Sequence, residues 1–256
     1  MPKYFDIHSH LNFPDYWKNF DEVIRRLKET ETHTMVVGTD LESSKKAVEL
    51  ADKYEEIYAC IGVHPVDNPS QSFEKEKFED LIKHSKVVAV GECGMDFFHA
   101  DKGVDYDRQK KLFSDQLDFA TTHDKPIMIH ARDAYEELLE ILKPIKSKCG
   151  VKLRGNIHFF TGSMEVAKRL FNIGFTISFT GVITFTRDYD EVIKSAPLEM
   201  IMSETDAPYV APVPYRGKRN EPSYVSEVVK KIAEIRGEGE EVVRAALVNN
   251  ALSMIG

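Results

Sequence analysis

Eight short β-rich runs, separated by longer amphipathic stretches, constrain the fold of this chain more than any other feature. The runs occupy residues 4–10, 33–39, 57–65, 86–92, 126–131, 155–160, 175–181 and 200–206. Strands that alternate with helices form parallel sheets, and eight such units are the number that closes a (β/α)8 barrel. The sequence therefore predicts an α/β fold, a single (β/α)8 TIM barrel that spans residues 1–256.

The stretches between the runs place apolar residues at helical spacing. Helices are predicted over residues 21–29, 44–55, 106–123, 134–145, 164–174, 221–237 and 239–255. Gly174 is expected to cap one helix, and Pro222 to occupy the first position of another. A doubly wound open sheet is the alternative fold. It would normally carry a glycine-rich phosphate loop after a strand, and the sequence contains no G-x-G-x-x-G or P-loop pattern.

Composition narrows the class of protein. Hydrophobic residues make up 42% of the chain and charged residues 30%, which is typical of a globular protein. No apolar run approaches the ~20 residues of a membrane helix, and the N-terminus shows no signal-peptide pattern. Three cysteines are too few for a disulfide framework, so we expect reduced thiols, a cytoplasmic location and no membrane partner. A formal charge of −8 disfavours a protein that coats nucleic acid, although an enzyme could still grip a strand end through a local basic patch.

Histidines and carboxylates gather where the predicted strands end. The histidines are His8, His10, His64, His130 and His158, and the acids are Glu92, Glu204 and Asp206. The carboxyl ends of parallel barrel strands share one face, which is where active sites lie. Neutral imidazole and carboxylate suit divalent transition metals. The joint pattern therefore predicts a metal site on this face. The remaining four histidines show no such placement, and Cys93 is interpreted as a packing residue.

A basic segment follows the last run. Arg216, Lys218 and Arg219 form its densest positive cluster in an otherwise acidic chain. One interpretation is a grip on a nucleic-acid backbone at the mouth of the barrel. The other is salt bridging to Glu221 and the next helix, since charge runs discriminate poorly. The nearby Tyr209 could likewise stack on a base or simply pack a loop.

Seven ordered motifs carry a family resemblance. They are DIHSHLN, GVHP, GECGMDF, PIMIHAR, HFFTGS, ETDAPYVAP and RGKRNEPSYV. Over essentially its whole length the chain resembles the TatD-type metal-dependent hydrolases of the amidohydrolase superfamily. The resemblance implies a TIM barrel with a divalent-metal centre. It also implies deoxyribonuclease activity, largely of the 3′-5′ exonuclease type, on single-stranded or damaged DNA.

The resemblance also implies roles for individual residues. His8 and His10 would bind one metal ion, His130 and His158 a second, and Glu92 would bridge the two. Asp206 would support the first ion and the attacking water, so that Asp206 and Glu92 are the expected catalytic residues.

His64 and Arg132 would contact substrate phosphate, and Arg216 and Arg219 are candidates for further substrate contacts. The metals are expected to be two divalent ions per chain, with Zn, Mn and Mg left open. Phe159 and Ser203 depart from the usual motif wording, which leaves substrate preference open.

Three functions compete at this point. The leading hypothesis is a DNase that uses a water activated by two metals. The alternative is a small-molecule hydrolase of the same superfamily, with an amide, lactone or phosphoester substrate. Such relatives often bridge their metals with a carboxylated lysine at a strand end, and no predicted strand here ends in lysine. The third is an inactive scaffold, which would be expected to lose ligands. The oligomeric state stays open, and a monomer is compatible with the sequence.

Overall fold

Eight parallel strands pair in chain order in the computed structural model, which describes residues 1–256. The strands are β1 (Tyr4–Ser9), β2 (Thr32–Val37), β3 (Ile57–Ile61), β4 (Val87–Asp96), β5 (Ile127–Arg132), β6 (Gly155–Ile157), β7 (Phe175–Phe179) and β8 (Ile201–Ser203). An isolated parallel bridge between Ser9 and Ala207 joins the first strand to the segment after the last. The sheet is therefore a nearly closed barrel, which confirms the predicted fold.

Nine α-helices accompany the strands. They are α1 (Phe20–Glu29), α2 (Leu41–Lys53), α3 (Lys75–Phe78), α4 (Lys102–Thr122), α5 (Tyr135–Cys149), α6 (Met164–Phe171), α7 (Asp190–Ser195), α8 (Val225–Arg236) and α9 (Glu240–Ile255). None of them combines the length and apolar content that crossing a membrane requires.

The two predicted end residues, Gly174 and Pro222, do not lie at the ends of α-helices. Helix α6 ends at Phe171, and Gly174 lies in the turn beyond it with φ +80°. Pro222 begins a separate 3-10 turn, Pro222–Tyr224, and α8 starts only after that turn. Helices α3 and α7 escaped prediction because four and six residues are too short to display helical spacing.

The alternation of strand residues divides the apolar core into two clusters. In β2, Val36 belongs to the larger cluster, whose buried members include residues of most of the helices. Its neighbours Met35 and Val37 belong to a smaller cluster, which also includes residues of helix α9. Helix α9 lies at the amino end of the barrel: the Arg244 guanidinium donates to the carbonyl of Lys3, 2.9 Å away.

The carboxyl end of the barrel is instead held by buried polar groups. Asp6 on β1 accepts hydrogen bonds from the amide of Thr205 (2.8 Å), the hydroxyl of Thr205 (2.7 Å) and the hydroxyl of Thr34 (3.2 Å). Burial raises the pKa of Asp6 well above its usual value, although the hydrogen bonds from Thr205 oppose the shift. Asp6 therefore fixes the segment after β8 against β1, and this segment carries Asp206.

Candidate metal centre

Glu92 lies at the centre of the predicted ligands and presents one oxygen to each histidine pair. Its Oε2 is 3.3 Å from His8 Nε2 and 3.7 Å from His10 Nε2. Its Oε1 is 2.7 Å from His158 Nε2 and 3.0 Å from His130 Nδ1. A carboxylate placed in this way can share its two oxygens between two ions.

Within each pair, the ring nitrogens face one another. His8 Nε2 and His10 Nε2 are 3.2 Å apart, and His130 Nδ1 and His158 Nε2 are 3.3 Å apart. Asp206 Oδ1 completes the first group, 3.6 Å from His10 Nε2 and 3.9 Å from His8 Nε2. Nitrogen and oxygen atoms that converge in this way form the donor set that proteins offer to divalent transition metals. These residues therefore fit metal ions, and all six predicted ligands lie in one cluster.

The position of Asp206 depends on its backbone conformation. Its φ of +54° lies in the left-handed region, which Asp enters more readily than most residues. The amide of Asp206 donates to the carbonyl of His8 at 2.9 Å, so the segment after β8 is bonded directly to the strand that carries the first histidine pair. The carboxylate is therefore aligned with His8 and His10 through the main chain.

Two glycines bring Glu92 close to the strand that carries His130. A Cβ at Gly91 would lie 2.4 Å from the carbonyl oxygen of Met128, and one at Gly94 would lie 2.0 Å from that of His130. Both glycines have positive φ, +148° and +142°. Only glycine permits this approach of β4 to β5, which sets the distance across the cluster.

Burial and charge act in opposite directions on the carboxyl groups of the cluster. Burial alone would raise the pKa of Glu92, but the charges of His158 and His8 hold it well below its usual value. Burial would also raise the pKa of Asp206, and its hydrogen bond with His10 and the charge of His8 lower it instead. The lowered pKa of each carboxyl group favours the ionised form, which is the form that binds metal.

The two predicted phosphate contacts both line the same cavity of about 180 Å³. His64 follows β3, with Nε2 3.6 Å from Glu92 Oε1 and Nδ1 2.7 Å from Asp67 Oδ1. Arg132 ends β5, and its guanidinium carbon lies 5.4 Å from the centre of the Phe159 ring and 5.9 Å from that of Phe98. The guanidinium of Arg132 forms no hydrogen bond or ion pair with another residue, so its N–H groups are available to a ligand.

The basic residues after β8 are placed differently and do not line this cavity. Arg219 donates to the carbonyl of Asp15 (2.6 Å), to Asn19 Oδ1 (2.7 Å) and to Glu221 Oε1 (2.9 Å). Arg216 is exposed and stacks on Phe185, with 3.5 Å between its guanidinium carbon and the ring centre. Substrate binding by both arginines stays a prediction, and the existing bonds of Arg219 make it the weaker candidate.

Sequence reasoning missed Asp96, which accepts a hydrogen bond from His130 Nε2 at 2.9 Å. Strand β4 was predicted to close at Glu92, but it continues to Asp96. Alternation along a longer strand would have placed Glu92, Gly94 and Asp96 on one face, so the signal was present in the sequence. Asp67 beside His64 was missed as well, because it belongs to the loop that follows β3 and no strand periodicity marks it.

Comparison with known proteins agrees with this geometry. A family profile described as "TatD related DNase" matches residues 5–256. The uncharacterised metal-dependent hydrolase YabD of Bacillus subtilis is 41% identical over 251 residues, which cover 96% of each chain. The 3'-5' ssDNA/RNA exonuclease TatD of Klebsiella pneumoniae is 32% identical over 98% of this chain and 97% of its own.

A solved structure has the same architecture. The TatD homologue YJJV from Escherichia coli superposes with a TM-score of 0.90 at 28% identity, over 99% of this chain and 98% of the other. The barrel, the convergent histidines and carboxylates at its carboxyl end, and the match along residues 5–256 agree. On these grounds the chain belongs to the TatD family of metal-dependent hydrolases.

Proposed function

We propose that this chain is a deoxyribonuclease that hydrolyses phosphodiester bonds from the 3′ ends of single-stranded or damaged DNA. One observation carries the proposal: the unpaired guanidinium of Arg132 faces the cavity that holds the His and carboxylate cluster. A planar guanidinium recognises a phosphate through two parallel hydrogen bonds. Phe98 and Phe159 limit its motion without occupying its donors.

We propose that two divalent ions, Zn, Mn or Mg, bind in this cluster. His8, His10 and Asp206 would hold one, His130 and His158 the other, and Glu92 both. When bound, such ions acidify water and neutralise charge on the reacting phosphate. Four buried carboxyl groups surround the cluster, those of Glu92, Asp96, Glu204 and Asp206, and in the ionised form they balance the charge of two divalent cations.

The chain's own side chains then have separate tasks. Asp206 orients the attacking water and accepts its proton at a carboxylate oxygen. Arg132 binds the non-bridging oxygens of the phosphate. His64 contacts the same phosphate with Nε2, and its ring is oriented by Asp67 at Nδ1.

The choice of DNA rests on three further observations. The Klebsiella relative is named for action on single-stranded DNA and RNA. Exposed aromatic rings of Phe98 and Tyr209 stand near the cavity, where unpaired bases could stack. Arg216 is exposed beyond them and could meet the backbone of the strand. We also place the enzyme in the cytoplasm, since its three cysteines are unpaired.

A cavity of about 180 Å³ favours one alternative, hydrolysis of a small phosphoester. This volume accepts a phosphate group and part of a sugar, and a longer strand would have to lie outside it. The acidic net charge of −8 also fits a small substrate. The alternative differs from the main proposal in predicting no preference for polymeric DNA.

The test compares substrates on protein loaded separately with Mn²⁺, Zn²⁺ or Mg²⁺. We expect stepwise loss of nucleotides from the 3′ end of a labelled single-stranded oligonucleotide, and slower hydrolysis of the matching duplex. Bis(p-nitrophenyl) phosphate is the small-substrate control. Rates on this ester that exceed those on DNA at equal concentration would contradict the main proposal.

A second control addresses contaminating nucleases. Glu92→Gln removes the charge of the proposed bridging ligand and changes few atoms. We expect this variant to lose almost all hydrolysis of DNA. Equal rates in the wild type and in Glu92→Gln would show that the activity does not come from this centre.

A further inference from the structure

The two histidine pairs differ in what contacts their outward ring nitrogens, those that face away from Glu92. In the first pair, His8 Nδ1 has no partner, and His10 Nδ1 donates to the carbonyl of Val37 at 3.0 Å. In the second pair, His130 Nε2 lies 2.9 Å from a carboxylate oxygen of Asp96. The remaining outward nitrogen, Nδ1 of His158, lies 3.4 Å from Glu204 Oε1 without forming a hydrogen bond. Among the outward nitrogens, only the two of the second pair therefore lie beside carboxylates.

We propose that Asp96 and Glu204 are positioning residues that make the half formed by His130, His158 and Glu92 the tighter metal site, the one that fills first. The inference rests on the proposed two-metal centre and adds an order of binding to it. A carboxylate behind a coordinating imidazole fixes its tautomer and increases its basicity, and loss of such a partner typically costs about 10–100-fold in metal affinity. A backbone carbonyl, as behind His10, adds no negative charge.

The surroundings of Asp96 hold its carboxylate in place beside His130. Its side chain is almost fully buried, at 1% exposure. Oδ1 accepts the amides of Phe98 at 3.0 Å and His99 at 2.8 Å, so the carboxylate cannot rotate freely. Oδ2 faces His130 Nε2, and an ionised carboxylate can only accept there. The proton of a neutral His130 therefore lies on Nε2, which leaves the Nδ1 lone pair directed toward Glu92.

Glu204 is held equally firmly but sits at a longer distance. Its Oε1 accepts the amide of Phe159 at 2.8 Å, and its Oε2 accepts the hydroxyl of Ser178 at 2.6 Å. The residue is fully buried, so its charge acts on His158 with little screening by water. Since its contact with His158 lacks good hydrogen-bond geometry, we expect a smaller contribution than that of Asp96.

A direct metal-binding role for Glu204 conflicts with the ring geometry. His8, His158 and Glu204 do place one potential ligand atom each within 4.8 Å of one another. However, the rings of His8 and His158 stack with 3.9 Å between their centres and an angle of 12° between their planes. Lone pairs in nearly parallel rings run side by side and do not converge on one ion. Glu204 therefore acts through His158.

The test is a calorimetric titration of metal-free, full-length protein with Mn²⁺ alone. We expect two binding steps in the wild type. Asp96→Asn should weaken the tighter step by about 10–100-fold and Glu204→Gln by a smaller factor, with the weaker step unchanged within about twofold. Asp52→Asn is the matched control, because it removes a carboxylate that lies 3.2 Å from Nε2 of His84, a histidine outside the cluster. It should move neither step.

Two alanine substitutions assign each binding step to one half of the centre. His130→Ala should abolish the tighter step, and His10→Ala the weaker one. A tight step that survives in His130→Ala, or an unchanged tight step in both Asp96→Asn and Glu204→Gln, would overturn the inference. Asn and Gln keep acceptors for the neighbouring amides, and thermal unfolding of the metal-free variants checks that both still fold.

The same experiment separates this inference from the proposed function. If two Mn²⁺ ions bind in the expected order and no DNA is hydrolysed, the proposed activity fails and the order of binding stands. If DNA is hydrolysed while the Asp96 and Glu204 variants bind Mn²⁺ as the wild type does, only the positioning role fails.

Discussion

The two ends of the barrel are built from opposite kinds of residue. At the carboxyl end, four buried histidines, the partly buried His130 and several buried carboxylates gather around one small cavity. At the amino end, helix α9 adds Val248, Ala251 and Met254 to an apolar cluster. Desolvated polar groups cost stability unless they are paired, whereas buried apolar groups supply it. The comparison indicates that activity and stability depend on different ends of the molecule, as is common in this fold.

The largest expected effect tests the carboxyl end. Asp206→Asn keeps an oxygen that can coordinate metal weakly, but the amide cannot accept a proton. Loss of general-base help typically lowers turnover by about 10²–10⁴-fold. We expect this loss at saturating metal, with the thermal midpoint nearly unchanged. Near-normal turnover in this variant would show that Asp206 is only a structural acid.

The next effect tests the amino end. Met254→Ala should lower the free energy of unfolding by about 2–4 kcal/mol, because it leaves a cavity beneath the barrel. Turnover per folded molecule should stay at the wild-type value. Urea unfolding and an activity assay on the same preparation provide both readouts. A fall in turnover without a fall in stability would break the separation of the two ends.

Arg132 gives a smaller effect, and it concerns substrate binding. Arg132→Ala should raise KM for a short oligonucleotide by about 10–150-fold, the equivalent of one or two charge-assisted hydrogen bonds. The matched control is Arg154→Ala, which removes an arginine paired with Asp124 at the amino end of β6. Its KM should match that of the wild type. Equal KM values in the two variants would remove the argument for a phosphate site at Arg132.

The smallest expected effect concerns the ion pair between Arg108 and Asp105, which we expect to contribute to stability and not to activity. Arg108 donates to both oxygens of Asp105 and to the carbonyl of Pro65 in the loop that holds His64. The hydrogen bond from Arg108 holds the pKa of Asp105 below its usual value. A lowered pKa in the folded state stabilises the protein above the unfolded pKa of about 3.9, and this contribution is lost as the pH falls further.

Asp105→Asn should therefore cost about 0.5–1 kcal/mol at pH 7, since the pair is partly screened by solvent. The difference from the wild type should shrink as the pH falls from about 4 to 3. Urea unfolding of the wild type and the variant at each pH measures it. A difference that stays constant with pH would mean that the carboxylate charge of Asp105 does not matter.

The sequence predicted what strand periodicity and residue chemistry encode. His8 and His10 were found because alternate strand residues share a face, and His130 and His158 because they follow β-rich runs. The later boundaries were less accurate: β6 and β8 are three residues each, too short for alternation to define their ends. Glu204 was recognised as a strand-end acid, but its contact with His158 depends on how two loops meet.

The basic residues illustrate the limit of composition as a guide. Arg132, at the end of β5, and Arg219, in the segment after β8, are the same residue type near the same end of the barrel. Only the folded chain shows that Arg219 already donates to Glu221 and two other acceptors, while Arg132 donates to none. A cluster of positive residues in a sequence therefore indicates a binding surface only when its donors are still available.

The close approach of β4 to β5 at Gly91 and Gly94 has a consequence for protein engineering. Neither glycine can accept a side chain without pushing the strands apart. Mutant libraries aimed at new substrates should therefore keep residues 91–94 as an invariant block and diversify the rim at Phe98, Phe159 and Tyr209. In recombination with a related gene, a crossover point between Gly91 and His130 would take β4 from one parent and β5 from the other. The close approach of these two strands would then depend on residues from two different proteins.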